Sequence, residues 1–310
     1  MPGKITVMGS FIVDLMARAS HLPAAGETVK GSVFKIGPGG KGSNQGVAAH
    51  RLGAEVTMIT KVGDDFFGHE VALRSFQDEG METAYVFKDE KLSTGAALIM
   101  VDQNTSENKI VVTLGACDNI LVEEIETART AIENSAVFLT QLETNMEAIE
   151  KAVYIASQKN VMIILNPAPA REVPAEILRK VDILTPNETE ACILSGIKID
   201  SIEDAGRAAR VLMEKGVGSV IITLGSKGAL VVAEGKERFI AGHKVDVVDT
   251  TGAGDAYNGG LATALAEGMD IFASAEFANA VAALSVTKIG TAPAMPYREE
   301  LEAFIKNNRQ

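Results

Sequence analysis

Short runs rich in β-branched and apolar residues recur along the chain at Ile5–Met8, Val56–Ile59, Val137–Leu139, Val161–Leu165, Ile183–Thr185 and Val220–Thr223. Runs of this length suit strands rather than helices, and their near-continuous hydrophobicity marks strands buried on both faces. Between them lie segments with apolar positions at helical spacing: Gly42–Leu52, Phe67–Glu79, Met146–Gln158, Ser201–Lys215, Asp255–Glu267 and Ala273–Thr287. The alternation predicts an α/β fold with a mostly parallel central sheet flanked by helices on both faces. Two stretches break it, residues 11–36 and 94–114, and each reads as an antiparallel strand pair without a crossover helix. They predict a small β-sheet lid inserted into a single domain spanning residues 1–310, set over the end of the sheet where parallel strands bind ligands.

Composition narrows the function classes. At 46% apolar and 23% charged residues, the 310-residue chain can bury a full core. Asp and Glu number 41 against 29 Lys and Arg, a net charge of −12, which is the wrong sign for a partner of nucleic acid or of an acidic membrane. No apolar run reaches spanning length, and the run before Gly9 is too short for a signal-peptide core. Cys117 and Cys192 have no CxxC spacing and build neither a disulfide framework nor a zinc site, so a reduced, cytoplasmic protein is expected. The histidines at 21, 50, 69 and 243 form no i, i+4 pair, and no Gly-x-Ser-x-Gly elbow occurs. Metal-hydrolase and serine-hydrolase chemistry therefore lack their residues.

Several glycine-bearing segments carry candidate chemistry. Gly37-Pro38-Gly39-Gly40-Lys41-Gly42-Ser43-Asn44-Gln45 opens a predicted helix and formally satisfies GxGxxG, but it does not follow the first core strand as a dinucleotide fingerprint should. Asp249-Thr250-Thr251-Gly252-Ala253-Gly254-Asp255 precedes another helix, where bare backbone amides would form an anion site. Asp255 beside those amides could accept a proton from an alcohol, or could simply favour the helix start. Asn187 and Glu190, in Thr185-Pro186-Asn187-Glu188-Thr189-Glu190, have the spacing of a capping box. Thr223-Leu224-Gly225-Ser226-Lys227-Gly228 ends a buried strand, and its glycines suit either a turn or close approach to a nucleotide.

Taken in order, these strings resemble the ribokinase branch of the PfkB carbohydrate kinase family. Gly9-Ser10 with Asp14, Gly26-Glu27-Thr28, Gln141-Leu142-Glu143 and Asn166-Pro167-Ala168-Pro169-Ala170-Arg171 complete the pattern, which spans nearly the whole chain. The resemblance implies transfer of the ATP γ-phosphoryl group to the 5-hydroxyl of a pentose, with Asp255 as base and the amides of Gly252, Ala253 and Gly254 as anion hole. It further implies sugar contacts from Asp14, Gly40, Lys41, Asn44 and Glu143. Asn187 and Glu190 would order phosphates and Mg²⁺ through water, and Thr223, Gly225, Gly228 and Asn279 would border the nucleotide. A K⁺ activator would sit with Asp249, Thr251, Ser285, Lys288 and Gly290, and the lids of two copies would pair in a homodimer.

Two positions depart from the pattern. Ile12 stands where ribokinases carry an Asn two residues before the Asp, which makes 2-deoxyribose a candidate beside ribose. Ala294 stands where a Ser hydroxyl is usual near the cation loop. The competing readings are an NAD(P)-dependent dehydrogenase using Gly37–Gly42 and a sugar-sensing module that has kept a kinase fold.

Overall fold

In the computed structural model, which describes residues 3–105 and 107–308, β1 (Ile5–Met8) lies inside a nine-stranded sheet. The other strands of this sheet are β4 (Val56–Gly63), β5 (Val86–Asp89), β8 (Val137–Thr140), β9 (Met162–Leu165), β10 (Ile183–Leu184), β11 (Ser219–Thr223), β12 (Gly228–Ala233) and β13 (Lys236–Ala241). Their order is β13-β12-β11-β10-β9-β8-β1-β4-β5. Pairing is parallel from β5 to β11 and antiparallel only in the β11-β12-β13 edge. From β1 the chain first winds outward to β4 and β5, then returns to β8 on the other side. The strand order therefore reverses beside β1, and the crevice above its carboxyl end is where such a sheet binds ligands.

Alternate side chains of each strand enter two separate apolar cores. Ile5, Val7, Leu139, Ile164, Ile183 and Ile221 join the core beneath the helices Lys41–Arg51, Ala253–Ala266 and Ile271–Ser285. Met8, Phe138, Ile163, Leu165, Leu184 and Ile222 join the other, beneath Met146–Gln158 and Ile202–Glu214. This two-sided burial explains why the strands read as continuous apolar runs.

The lid is a second sheet of order β3-β2-β6-β7, built from β2 (Ile12–Ala19), β3 (Gly31–Gly39), β6 (Gly95–Asp102) and β7 (Asn108–Thr113). Both expected hairpins are antiparallel, but they join through a parallel β2–β6 contact in which Ile12 faces Gly95 and Ala19 faces Asp102. Phe11, placed in the lid from sequence, instead packs edge-on against Phe76 in the core, with ring centroids 5.5 Å apart. The segment expected as one helix over 67–79 starts as a π-helical stretch, Phe67–Leu73, and becomes α-helical over Arg74–Asp78. No helix among the described residues is long and apolar enough to cross a membrane.

The helices Lys41–Arg51 and Ala253–Ala266 touch through Gly259. A Cβ there would stand 2.6 Å from Ala48 Cβ and 2.8 Å from the Gln45 carbonyl oxygen. Gly259→Ala should therefore cost about 1–3 kcal/mol, read from urea midpoints. Gly254→Ala, where a Cβ meets open space, should leave the midpoint unchanged or slightly raised.

Candidate active site

The carboxyl ends of the central strands deliver a ring of polar residues into one crevice. Gly9 and Ser10 follow β1, Gln141 and Glu143 follow β8, Asn166 follows β9, Thr185 follows β10, and Thr223 closes β11. Two helices start against this ring, and each opens on a glycine with positive φ: Gly40 at 90° and Gly252 at 79°. At such angles a side chain is strained, and glycine lets the chain turn directly into the helix.

Asp255 lies in the first turn of the second helix and is only 8% exposed. Burial raises its pKa from the usual 3.8 to about 6. The Lys41 charge and hydrogen bonds from Asn44 and Gln45 oppose that rise, and Glu143 adds to it. Asn44 Nδ2 donates to Asp255 Oδ2 at 2.9 Å, and Gln45 Nε2 donates to Oδ1 at 3.0 Å. Of the neighbouring amides, Ala253 N–H turns to the Thr250 carbonyl at 3.2 Å, while the bare Cα of Gly254 faces open space.

The expected sugar contacts surround this carboxyl. Glu143 Oε2 accepts from Ser10 Oγ at 2.6 Å and from the Lys41 backbone N–H at 3.1 Å, and its Oε1 lies 3.2 Å from Lys41 Nζ. Burial works against the Lys41 charge, but the carboxylates of Glu143 and Asp255 outweigh it and hold its pKa above the ordinary lysine value. Asp14 reaches in from the lid, and burial raises its pKa to about 6 as well. Ile12 is on the same face of β2 as Asp14, 3% exposed and outside both apolar cores. Its Cδ1 lies over Gly95, where a Cβ would come within 2.5 Å.

Asn187 and Glu190 do form a capping box: Asn187 Oδ1 accepts from Glu190 N at 2.8 Å, and Glu190 Oε2 accepts from Asn187 N at 2.9 Å. Glu190 is nonetheless buried, which raises its pKa, and it feels the charges of Lys41 and Asp255, so the cap faces the same crevice. The capping bond uses Oε2, and Oε1 is the oxygen suited to a hydrated Mg²⁺. Thr223 bridges to Asn187, and Gly225 and Gly228 adopt positive φ in the turn that follows. Asn279 Nδ2 is committed to the Ile240 and Ala241 carbonyls, at 3.2 and 3.4 Å.

In the suggested cation loop, Asp249 Oδ1 accepts from Thr251 N and Oγ1, and Oδ2 accepts from Gly290 N. The Ser285 hydroxyl donates to Ala282 O and keeps its lone pairs, whereas Lys288 Nζ pairs with Glu300, so Lys288 could serve a cation only through its carbonyl oxygen. One carboxylate among backbone carbonyls suits a monovalent ion. No cluster of three or more His, Cys, Asp or Glu able to hold a metal occurs among the described residues.

Residues without an assigned role in the sequence reading complete the site. Gln45, Gln141 and Asn166 lay within the quoted strings, but a string does not say which atom meets which. Thr291 Oγ1 lies 3.3 Å from the Pro38 carbonyl and 3.5 Å from Asp14 Oδ2, joining lid to cation loop. Arg51 pairs with Glu79 and donates to the carbonyls of Pro293 and Met295, which pins that loop. The Gly37–Gly42 segment belongs to lid strand β3 and the helix start, not to a turn after a core strand, so the dinucleotide geometry is missing.

A mostly parallel sheet with a lid over polar strand ends defines a ribokinase-type fold. The chain belongs to the pfkB family of carbohydrate kinases, whose model matches residues 3–298. It is 40% identical over 307 residues to a ribokinase of Haemophilus influenzae, covering 99% of this chain and all of that one. It is 38% identical over 305 residues to a deoxyribokinase of Salmonella typhi, covering 98% and 99% of the two chains. Among solved structures, the Arabidopsis thaliana ribokinase complexed with ribose and ATP superposes with a TM-score of 0.91 at 29% identity, over 99% of each chain.

The raised pKa of Asp255 has a stability consequence. Between the usual 3.8 and about 6 the folded protein holds a proton here that the unfolded chain has released, so this group makes stability fall as pH rises through that window. In Asp255→Asn the new amide can donate to Asn44 Oδ1, which is buried without a partner, once the Asn44 amide rotates. Asp255→Asn should thus be more stable than wild type by about 1–3 kcal/mol at pH 8, with the advantage vanishing near pH 4. Chemical denaturation at the two pH values checks both the sign and the trend.

Proposed function

We propose that the protein is an ATP-dependent pentose kinase that phosphorylates the 5-hydroxyl of ribose or 2-deoxyribose. The observation that carries this reading is Asp255, a buried carboxyl in the first turn of a glycine-initiated helix, bonded to Asn44 and Gln45 and within the field of Lys41. Similarity to ribokinases and a deoxyribokinase supports the substrate class. Asp14, Gly40, Lys41, Asn44 and Glu143 hold the sugar so that its hydroxyl meets Asp255, which takes the proton as the oxygen attacks the γ-phosphorus. The amides of Gly252 and Gly254, at the positive end of the helix dipole, stabilise the charge on the transferring group, whereas the expected third donor, Ala253 N–H, is engaged by the Thr250 carbonyl. Positioning and charge stabilisation of this kind are what phosphoryl transfer requires.

ATP lies against Thr223, Gly225, Gly228 and Asn279. Mg²⁺ neutralises phosphate charge when bound, and Asn187 and Glu190 hold it through water. K⁺ fits Asp249, Thr251 and Gly290 together with Ser285 and the Lys288 carbonyl, and would stiffen the loop that leads to Gly252. The lid keeps water, the competing acceptor, from the reaction. The lid face opposite Asp14 carries Phe34, Ile36, Leu98 and Val111 exposed, with Phe34 64% accessible, an apolar face suited to pairing with a second lid in a homodimer. The acidic charge and the lack of a spanning helix among the described residues suit work in the cytoplasm on small molecules.

Asp255→Asn should reduce turnover by roughly 10²-fold or more with little change in ATP affinity. Near-wild-type turnover would remove Asp255 from the mechanism.

Ile12 sets the expected sugar preference. An apolar side chain beside Asp14 leaves a sugar 2-hydroxyl unpaired, at a cost on the order of 1–3 kcal/mol. The enzyme should prefer 2-deoxyribose over ribose by roughly 5- to 150-fold in kcat/KM, and Ile12→Asn should move the ratio toward ribose. An ATP-consumption assay over both sugars tests this, and a wild-type preference for ribose that Ile12→Asn leaves unchanged would end it.

A further inference from the structure

Asp255 presents two oxygens, and the residues behind them are not equivalent. Oδ2 is bonded by Asn44 alone, whose own Oδ1 is buried without a partner. Oδ1 is bonded by Gln45, which is 0% exposed and held from two further sides. Gln141 Nε2 donates to Gln45 Oε1 at 2.6 Å, and Gln45 Nε2 also donates to Asn166 Oδ1 at 3.1 Å. An ionised carboxylate can only accept, so the Gln45 nitrogen must face it, and the orientations of Gln141 and Asn166 then follow, while the Gly254 carbonyl sets that of Asn258. Asn166 Nδ2 donates to the Thr185 carbonyl at 2.9 Å, Thr185 Oγ1 to Asn258 Oδ1 at 2.6 Å, and Asn258 Nδ2 to the Gly254 carbonyl at 2.8 Å.

Those bonds close a ring. It leaves Asp255 through Gln45, crosses the ends of β9 and β10 at Asn166 and Thr185, and returns through Asn258 to Gly254, the residue before Asp255. All of its side chains are buried and paired, so water cannot replace a lost partner and the ring is rigid, although Gln141, which holds Gln45 from outside it, has an Oε1 without a partner. Asn44 is outside the ring and has an acceptor to spare, so it is free to turn toward a sugar hydroxyl that approaches Oδ2.

We infer that Gln45 is the positioning residue for the base: it fixes Oδ1 of Asp255 into the ring and leaves Oδ2 as the oxygen that receives the substrate proton. This inference rests on the assignment of Asp255 as base. By donating to the charged form, Gln45 also keeps Asp255 ionised against its burial. The charged groups that face Asp255 are Lys41 from the start of the Lys41–Arg51 helix, Glu143 after β8, Asp14 from the lid and Glu190 from the Glu188–Ser195 helix. Lys41 favours the ionised form and the three carboxylates oppose it. Gln45 and Asn44 are the side chains that hydrogen-bond it, and of the two only Gln45 is itself held in place.

The test compares wild type with Gln45→Glu and Gln45→Met. Glu keeps the shape and the bond from Gln141 but replaces the donor by a second carboxyl, whereas Met keeps the length and removes all polarity. Both should move the acid limb of kcat/KM toward higher pH, Gln45→Glu by about one unit or more and Gln45→Met by less. KM for ATP should stay within about twofold, because none of the side-chain bonds of Gln45 reaches the Thr223–Gly228 turn. In parallel, the ¹³C signal of the Asp255 carboxyl, assigned by its loss in Asp255→Asn, should titrate upward by the same amount in folded protein. An unmoved carboxyl titration in both folded variants overturns the role of Gln45, even if their turnover falls. A carboxyl titration that moves while the acid limb stays keeps Gln45 as the residue that sets Asp255 ionisation, and removes Asp255 as the base.

Discussion

A carboxyl group with almost no access to water is held in this crevice, and much of the surrounding architecture answers the cost of its burial. Removing a charge from water costs several kcal/mol unless bonds and opposite charge replace the lost hydration. Here the replacement comes from Asn44 and Gln45 on one helix, the Lys41 ammonium, and the start of a second helix. The compensation is incomplete, which leaves Asp255 near pH 6 rather than deep in the carboxylate range. A carboxyl of that strength is largely ionised at neutral pH yet retains some affinity for a proton.

That arrangement depends on the sheet. Asp255 itself comes from a helix, but Gln141, Asn166 and Thr185, which tie its partner Gln45 to the sheet, each stand one residue beyond β8, β9 and β10, and parallel pairing brings these ends into line. The two cores beneath the sheet lock the strand ends, so a polar ring can form with little freedom in any member. Glycines admit the close contacts this needs, most directly at Gly259, where two helices meet with no room for a methyl group.

The lid contributes residues of another kind. Asp14 and Ile12 are delivered by β2, the strand that joins the two hairpins, so these crevice residues are carried by the lid rather than by the sheet. Thr291 and Arg51 tie the loop after Gly290 to the lid base and to the Lys41–Arg51 helix. The lid, the loop after Gly290 and the helix start at Gly252 therefore form one connected surface around the crevice.

The local patterns by themselves determined the α/β class, most of the central strands and helices, and the existence of a lid, because apolar period and glycine punctuation are properties of neighbouring residues. Ile5–Met8 and Met146–Gln158 match their observed bounds for that reason. The β12–β13 hairpin was not legible: it turns at Glu234-Gly235, a weaker signal than Asn-Gly, and β13 is mostly exposed. Motif strings also located Asp255, Asn44 and Glu143, but not what they touch. Asp255 lies 210 positions from Gln45, and the orientation of each amide follows from partners that only the folded sheet brings together. Ile12 is the same case: sequence marked it as a departure, and the close approach of Gly95 on the neighbouring strand decided which way it packs. Hydrogen bonds between distant segments are set by strand order and register, and a one-dimensional pattern encodes these only through the whole fold.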